Sequence, residues 1–305
     1  MAAVKRVIDF MKLRHMFAAI SLVATLISLG SLAVQGLQFG LDFTGGTLVE
    51  VQFAQDQNLD KVRGQLEKAG LESAVVQSYG TLRDIVVRVA STEQAKVGDQ
   101  VMAALQSDGA DVTLKRTEFV GSQVGGELRD QGGLGMLLAL AGVMLYVAAR
   151  FQFKFSFAAV LSLVHDVIIV LGVFSLFRIE FDLTVLAAVL AVIGYSLNDS
   201  IVVADRIREN FRKMRKAVPV EVVNTAMTDT LGRTTITSLT TWLVVWALFL
   251  FGGDMIHGFA LALLIGIGVG TYSSVYVCAS LLIYLKVSRE DLLPPAKEEL
   301  VDDRP

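Results

Sequence analysis

Six apolar runs leave this chain little choice of environment. They lie at about Met16–Leu37, Gly133–Ala149, Phe155–Phe177, Leu183–Ala204, Thr234–Phe251 and Phe259–Leu285. Each is close to the roughly 20 residues a helix needs to cross a bilayer. In hydrocarbon every backbone N–H and C=O must be satisfied internally, so such runs cross as helices. The composition agrees: 53% of residues are hydrophobic and 19% charged, against roughly 25% charged in an ordinary soluble domain. This excludes a soluble globular enzyme and a disordered chain. A net charge of −3 gives no reason to expect nucleic acid.

The first run follows a basic lead-in (Lys5, Arg6, Lys12, Arg14) that resembles a signal peptide. Its apolar part is too long for a signal segment and no small-residue cleavage site follows, so it is expected to be a retained span. Lysines and arginines set the orientation. The amino terminus, the turn holding Arg150 and Lys154, and the segment holding Arg206, Arg208, Arg212, Lys213, Arg215 and Lys216 are basic. All three fall on one side if six helices alternate. Both termini are therefore expected in the cytoplasm and the Gln38–Gln131 loop on the far side. The four prolines lie outside the apolar runs, so no kinked span is expected.

The far-side loop reads as a domain. Val49, Val51 and Phe53 alternate with polar residues, as do Ile85, Val87 and Val89, which is the period of a half-buried strand. Val75–Val76 and Val112–Val120 give two more strands. Leu59, Val62, Leu66 and Ala69 repeat at helical spacing and stop at Gly70. Ser91 and Gln94 resemble a capping box that opens a second helix bearing Val97, Val101 and Leu105. The order β-α-β-β-α-β is that of a ferredoxin-like unit. The expected fold is an α-helical polytopic membrane protein with six transmembrane helices and this α+β domain between helices 1 and 2. Its parts are residues 1–37 (amino terminus and first helix), 38–131 (the α+β domain), 132–285 (helices 2–6, with a basic loop at 205–232) and 286–305 (a cytoplasmic tail).

Ionisable residues inside a span cost about 2.5–3.5 kcal/mol near the helix centre, so they are the first functional candidates. Asp199 sits in span four, with Tyr195 one turn earlier as a possible hydroxyl partner and Asn198 beside it. Asp is too short to reach the interface easily. His165 and Asp166 lie near the midpoint of span three. Neighbours on a helix point about 100° apart and need not bond to each other, so a proton relay and helix-joining hydrogen bonds are both open for them. Arg233 precedes a hydroxyl-rich stretch (Thr234, Thr235, Thr237, Ser238, Thr240, Thr241). It either snorkels at the helix end or holds Asp199 ionised. Ala262, Gly266, Gly270 and Ser274 recur every four residues and form a small-residue stripe for close helix packing. No serine-hydrolase elbow, zinc-protease helix or phosphate-binding loop is present, so no enzyme activity, metal or cofactor is expected.

Several segments resemble one family in order along the chain. They are Gly40 to Thr47 (GLDFTGGT), Glu118 to Gly121 (EFVG), Val164 to Val167 (VHDV), Gly194 to Ser200 (GYSLNDS), Asp205 to Asn210 (DRIREN), Arg233 to Thr241 (RTTITSLTT) and Leu250 to Gly253 (LFGG). Together they resemble SecF, the membrane subunit that assists the bacterial Sec translocon. The first carries the family motif residues Asp42, Phe43, Thr44, Gly45 and Gly46. The resemblance implies half of a transporter of the resistance–nodulation–division type, completed by SecD and working with the SecYEG channel. It implies a protein of the inner membrane that uses the proton gradient to help unfolded preproteins leave on the periplasmic side. It implies Asp199 and Arg233 as the proton relay, with protons as the coupling ion and no other cofactor. A small-molecule or lipid half-transporter and a passive translocon scaffold are the alternatives.

Overall fold

The computed structural model describes residues 7–71, 74–79, 81–89, 94–107, 109–288 and 290–292. Lys5, Arg6, the Ser91 cap and the tail beyond residue 292 lie outside these residues. Helix α1 (Arg14–Val34) leads to a two-residue strand β1 (Gln38–Phe39) and a single helical turn α2 (Leu41–Thr44). The α+β domain follows as β2 (Gly46–Phe53), α3 (Leu59–Lys68), β3 (Val75–Tyr79), β4 (Thr81–Val89), α4 (Gln94–Gln106) and β5 (Val112–Val120). Then come α5 (Ser122–Arg150), α6 (Phe153–Leu176), the short strand β6 (Glu180–Phe181), α7 (Leu183–Lys213) and α8 (Pro219–Phe251). The last helix is α9 (His257–Ser273), a π turn (Ser274–Cys278) and α10 (Ala279–Tyr284). Six helices are long and apolar enough to cross a membrane, and the chain is a multi-pass membrane protein.

The domain is a four-stranded antiparallel sheet in the order β3-β4-β2-β5. The alternating residues of the strands do what their period demands. Val49, Val51, Ile85 and Val87 are fully buried against Val62 and Leu66 of α3 and Val101 and Leu105 of α4. Gly70 ends α3 in the left-handed region at φ +83°.

Two helices outgrow the bilayer. At about 1.5 Å per residue, α7 with 31 residues and α8 with 33 are far longer than the apolar segments within them. The expected basic loop at 205–232 is therefore corrected: it is helical except for 214–218. Charge hid this, because the charged residues pair along the helix while an apolar stripe stays inside. Arg206 meets Glu209 at 2.6 Å and Arg208 meets Asp205 at 3.2 Å. Val203, Ile207 and Phe211 pack on Val222, Val223, Ala226 and Met227. Pro219 begins α8, where its fixed φ and missing N–H suit a first turn. Helix α5 likewise starts eleven residues before the expected Gly133, as a continuous extension out of β5.

The domain is joined to the bundle by more than its two chain connections. Strand β1 pairs in parallel with β6, in the loop between α6 and α7. The Arg88 guanidinium of β4 binds the Glu180 carboxylate and donates to the Phe39 carbonyl at 3.3 Å. Asp42 Oδ2 accepts the Leu183 N–H at 3.1 Å, at the first turn of α7, where the helix dipole favours a negative group. Phe43 stacks on Phe181 with centroids 6.0 Å apart. Gly45 sits at φ +69°, and a Cβ there would lie 2.6 Å from Ser122 Cα. This glycine is required by close packing in a left-handed turn, so it works as a tight joint.

Candidate functional site: a buried carboxylate cluster

Asp199 lies in the middle of α7 and is 9% exposed. Its two oxygens are held by hydroxyls from two other helices. Thr234 Oγ1 of α8 donates to Oδ1 at 2.9 Å, and Ser274 Oγ of the π turn donates to Oδ2 at 2.6 Å. Each charge-assisted bond is worth about 1.5–3 kcal/mol when both groups are buried. The carboxylate has no cation in contact among the described residues.

Asp166 makes a second centre on α6 and is fully buried. Its Oδ2 accepts from Ser196 Oγ at 2.5 Å and from Ser273 Oγ at 2.7 Å. Its Oδ1 meets His165 Nδ1 at 2.9 Å. His165 and Asp166 thus bond to each other, although adjacent helical positions do not demand it. The Ser273–Ser274 pair therefore serves both carboxylates from consecutive residues. The change to π geometry at Ser274 falls between them, and such turns cluster at functional positions.

Tyr195 does not bond to Asp199. Its hydroxyl donates instead to Ser238 Oγ at 3.1 Å, and Ser238 in turn bonds Thr271 at 2.8 Å. The i−4 spacing puts Tyr195 a turn away, but its long ring carries the hydroxyl out to α8. Asn198 is exposed on the outer face of α7. Arg233 does not open its helix; it lies fifteen residues into α8, one position before Thr234. It is exposed, makes no ion pair among the described residues and does not touch Asp199. It lines a cavity of about 720 Å³ together with Arg150, Asp205, Arg206, Asp229 and Thr230, at the end of the bundle away from the α+β domain.

The small-residue stripe lies against α7. A Cβ on Gly266 would fall 2.1 Å from Val192 Cγ2, and one on Gly270 would fall 3.1 Å from Ser196 Cβ. This close approach brings Ser273 and Ser274 within reach of the carboxylates. The motif residues Asp42 to Gly46 form the domain joint described above, far from this cluster. Sequence reading missed Ser196, Ser273 and the π turn. Ser196 lies inside the GYSLNDS segment, and Ser273 adjoins the stripe, so adjacency was the available signal.

The fold and the site define a polytopic membrane protein whose bundle encloses two hydroxyl-ligated carboxylates, the kind of interior found in ion-coupled transport proteins. Residues 100–288 match the family model of the protein export membrane protein SecD/SecF, C-terminal, and residues 30–57 match the SecD/SecF GG motif. The protein translocase subunit SecF of Pseudomonas aeruginosa is 56% identical over 300 residues, 98% of each chain. That of Vibrio alginolyticus is 48% identical over 97% of this chain and 95% of its own. The crystal structure of SecDF, a translocon-associated membrane protein from Thermus thermophilus, superposes with a TM-score of 0.85 at 36% identity. That alignment covers 94% of this chain and 40% of the SecDF chain. The chain belongs to the SecD/SecF family of protein-export membrane proteins.

Proposed function

We propose that the chain is the SecF-type subunit of a SecD–SecF complex in the bacterial inner membrane, coupling the proton gradient to a late step of Sec-dependent export. Both termini are cytoplasmic in this reading, and the α+β domain is a periplasmic ferredoxin-like unit that meets unfolded preproteins leaving SecYEG. The match to 40% of the SecDF chain supports SecD as the partner subunit. The coupling ion is the proton; no catalysed reaction and no cofactor is assigned.

The observation that carries the reading is Asp199 itself: a carboxylate inside the bundle, bonded among the described residues only to hydroxyls. Hydroxyls stabilise its charge and can equally receive a hydrogen bond if it takes a proton, because each has both a donor and lone pairs. Arg233, one position from Thr234, brings a permanent positive charge to the cavity wall on the same turn. Each charge crossing the membrane is worth about 2.3 kcal/mol per 100 mV, so a few protons can drive a domain motion.

The test is Asp199→Asn in vesicles containing the assembled complex. It keeps the shape and a hydrogen-bonding group while removing ionisation. Assembly with SecD is expected to persist, and gradient-dependent export and proton flux to be lost. Normal export under a proton gradient would refute the coupling and leave a passive scaffold.

A further inference from the structure

His165 stands half-way along α6, inside a segment apolar enough to span the membrane, yet the reading above gives it no work. Its side chain is 9% exposed. A buried carboxylate that already receives two hydroxyl protons at Oδ2 accepts at Oδ1 as well. This puts the imidazole proton on Nδ1, toward Asp166, and leaves the lone pair on Nε2. Nε2 is buried and has no hydrogen-bond partner.

That atom is not alone. His165 and Ser280 line one cavity of about 270 Å³ between α1, α6 and the last helix, and Ser280 Oγ is likewise buried without a partner. Two unpartnered polar atoms from different helices on one cavity are costly in an apolar core, about 1–3 kcal/mol each. The rest of the cavity wall is apolar except for Ser21, Thr25 and the tyrosines, so the unpartnered atoms stand out there.

We propose that His165 is a second proton-binding residue of the bundle, taking a proton at its unpartnered Nε2, and that Asp166 passes its charge state to the turn that holds Asp199. This rests on the proton-coupled reading of Asp199. The proton adds to the Nε2 lone pair and leaves by the same atom, and no other bond breaks. Addition turns a neutral imidazole beside a carboxylate into an imidazolium–carboxylate pair. Asp166 then gives up part of its hold on Ser273 Oγ, and Ser273 is the residue before the Asp199 ligand Ser274. The titratable groups around His165 are Asp166 on its own helix, Asp199 of α7 beyond the serine pair, and Tyr276, Cys278 and Tyr284 on the last helix. Helix α1 adds Ser21 and Thr25 to the cavity wall and, from its first turn, the titratable His15 beside Tyr284. Tyr284 is occupied by His15 Nδ1 at 2.9 Å, and among the described residues no lysine or arginine lines the cavity.

Two measurements test this. The first uses the full-length wild-type chain in lipid nanodiscs with isotope-labelled histidine. The chain has three histidines, and the His15→Asn and His257→Asn variants assign the third ring by subtraction. The His165 ring signals are expected to move with pH between 5 and 9; constant signals across that range overturn the proposal without any substitution at the site. The second is the pH profile of proton flux through the complex with SecD in vesicles. His165→Asn, which keeps a donor for Asp166 but takes up no proton, is expected to flatten the profile and lower the maximal flux at least tenfold. A profile superimposable on wild type overturns the proposal. Asp199→Asn in the same vesicles separates the two ideas. Lost flux there with a normal His165→Asn profile removes only the His165 role. Normal flux in Asp199→Asn removes the coupling reading, while the ring titration still decides whether His165 binds a proton.

Discussion

Gly266→Ala places a single methyl where α7 and the last helix touch. The new Cβ would sit 2.1 Å from Val192 Cγ2, 2.7 Å from Cγ1 and 3.0 Å from Cβ. Comfortable carbon contacts begin near 3.5 Å, so the overlap is more than an ångström. Val192 cannot swing aside, because a β-branched side chain in a helix has one strongly preferred rotamer. The helices must separate instead. Forcing a methyl into a packed contact of this kind costs about 1–3 kcal/mol.

The separation also reaches the site. Ser273 and Ser274 lie two turns further along the same helix, about 11–12 Å away at 1.5 Å per residue. The 2.6 Å bond of Ser274 to Asp199 crosses the same interface, and the 2.7 Å bond of Ser273 reaches Asp166 on α6 from the residue before it. Reversible unfolding in mixed micelles, read as a double-mutant cycle with Val192→Ala, isolates the contact. The alanine at 192 costs something alone, but with Gly266→Ala it relieves the clash. A favourable coupling energy of about 1–3 kcal/mol is therefore expected, with proton flux lowered in Gly266→Ala and recovered in the double variant. A neutral Gly266→Ala, or purely additive effects, would refute the close-approach account.

Gly45→Ala meets both a left-handed φ and the Ser122 backbone. It should loosen the joint and speed proteolysis near residues 121–126 while the α+β domain stays folded. Arg88→Gln and Glu180→Gln should each weaken domain docking, with a coupling of about 1 kcal/mol for this half-buried pair, measured by crosslinking between the domain and the α6–α7 loop. Asp291 carries a pH prediction. Burial raises its carboxyl, but the Lys154 ammonium at 2.8 Å and the Ser288 N–H and hydroxyl outweigh that and hold it below the ordinary carboxylate range. Its folded value is depressed, so its contribution is present at neutral pH and lost as pH falls through that value. Labelling of a cysteine introduced at Glu290 should accelerate in acid and do so already at pH 7 in Lys154→Gln.

The α+β domain was legible strand by strand because period-two alternation at Val49–Phe53 and Ile85–Val89 records a face buried by the chain itself. Asp199, His165 and Asp166 were legible for the opposite reason: polar residues are conspicuous in an apolar run. What stayed hidden depends on the third dimension. Serines are common in membrane helices, so Ser196 and Ser273 were marked only by adjacency to the GYSLNDS segment and the small-residue stripe, and their role shows once α7 and the last helix are brought together. The extensions of α7 and α8 were masked because the charges at Asp205–Lys213, read linearly, look like a loop. Only their i,i+3 and i,i+4 pairing over a buried stripe at Val203, Ile207 and Phe211 makes them helical. The missing contact between Arg233 and Asp199 has the same origin, because Thr234, one position on and about 100° round the helix, occupies the carboxylate.

Helix α7 is the element that gives the two distant motifs a common consequence. Its first turn is gripped by Asp42 through the Leu183 N–H and by its own Asp182, whose Oδ1 accepts the Val185 N–H at 2.8 Å. Sixteen residues on from Leu183, about 24 Å along the axis, the same helix presents Asp199 to Thr234 and Ser274. No proline lies between them and the helix runs unbroken through Gly194, so a displacement at one end is transmitted as movement of a rod. The joint at the other end is stiff too, since Gly45 and Ser122 are in backbone contact and Phe43 is wedged on Phe181. A change in the hydroxyl ligation of Asp199 therefore has a short list of places to go. It can shift α7 against the glycine stripe, which resists at Val192, or tilt α7 about its first turn and carry the Asp42 joint and the sheet with it. Both are resisted by packing, the first at the Val192–Gly266 contact and the second in the core that Val185, Leu186, Ala188 and Val189 share with Phe43 and Phe181, so the two ends of α7 are held against the carboxylate by contacts of the same kind.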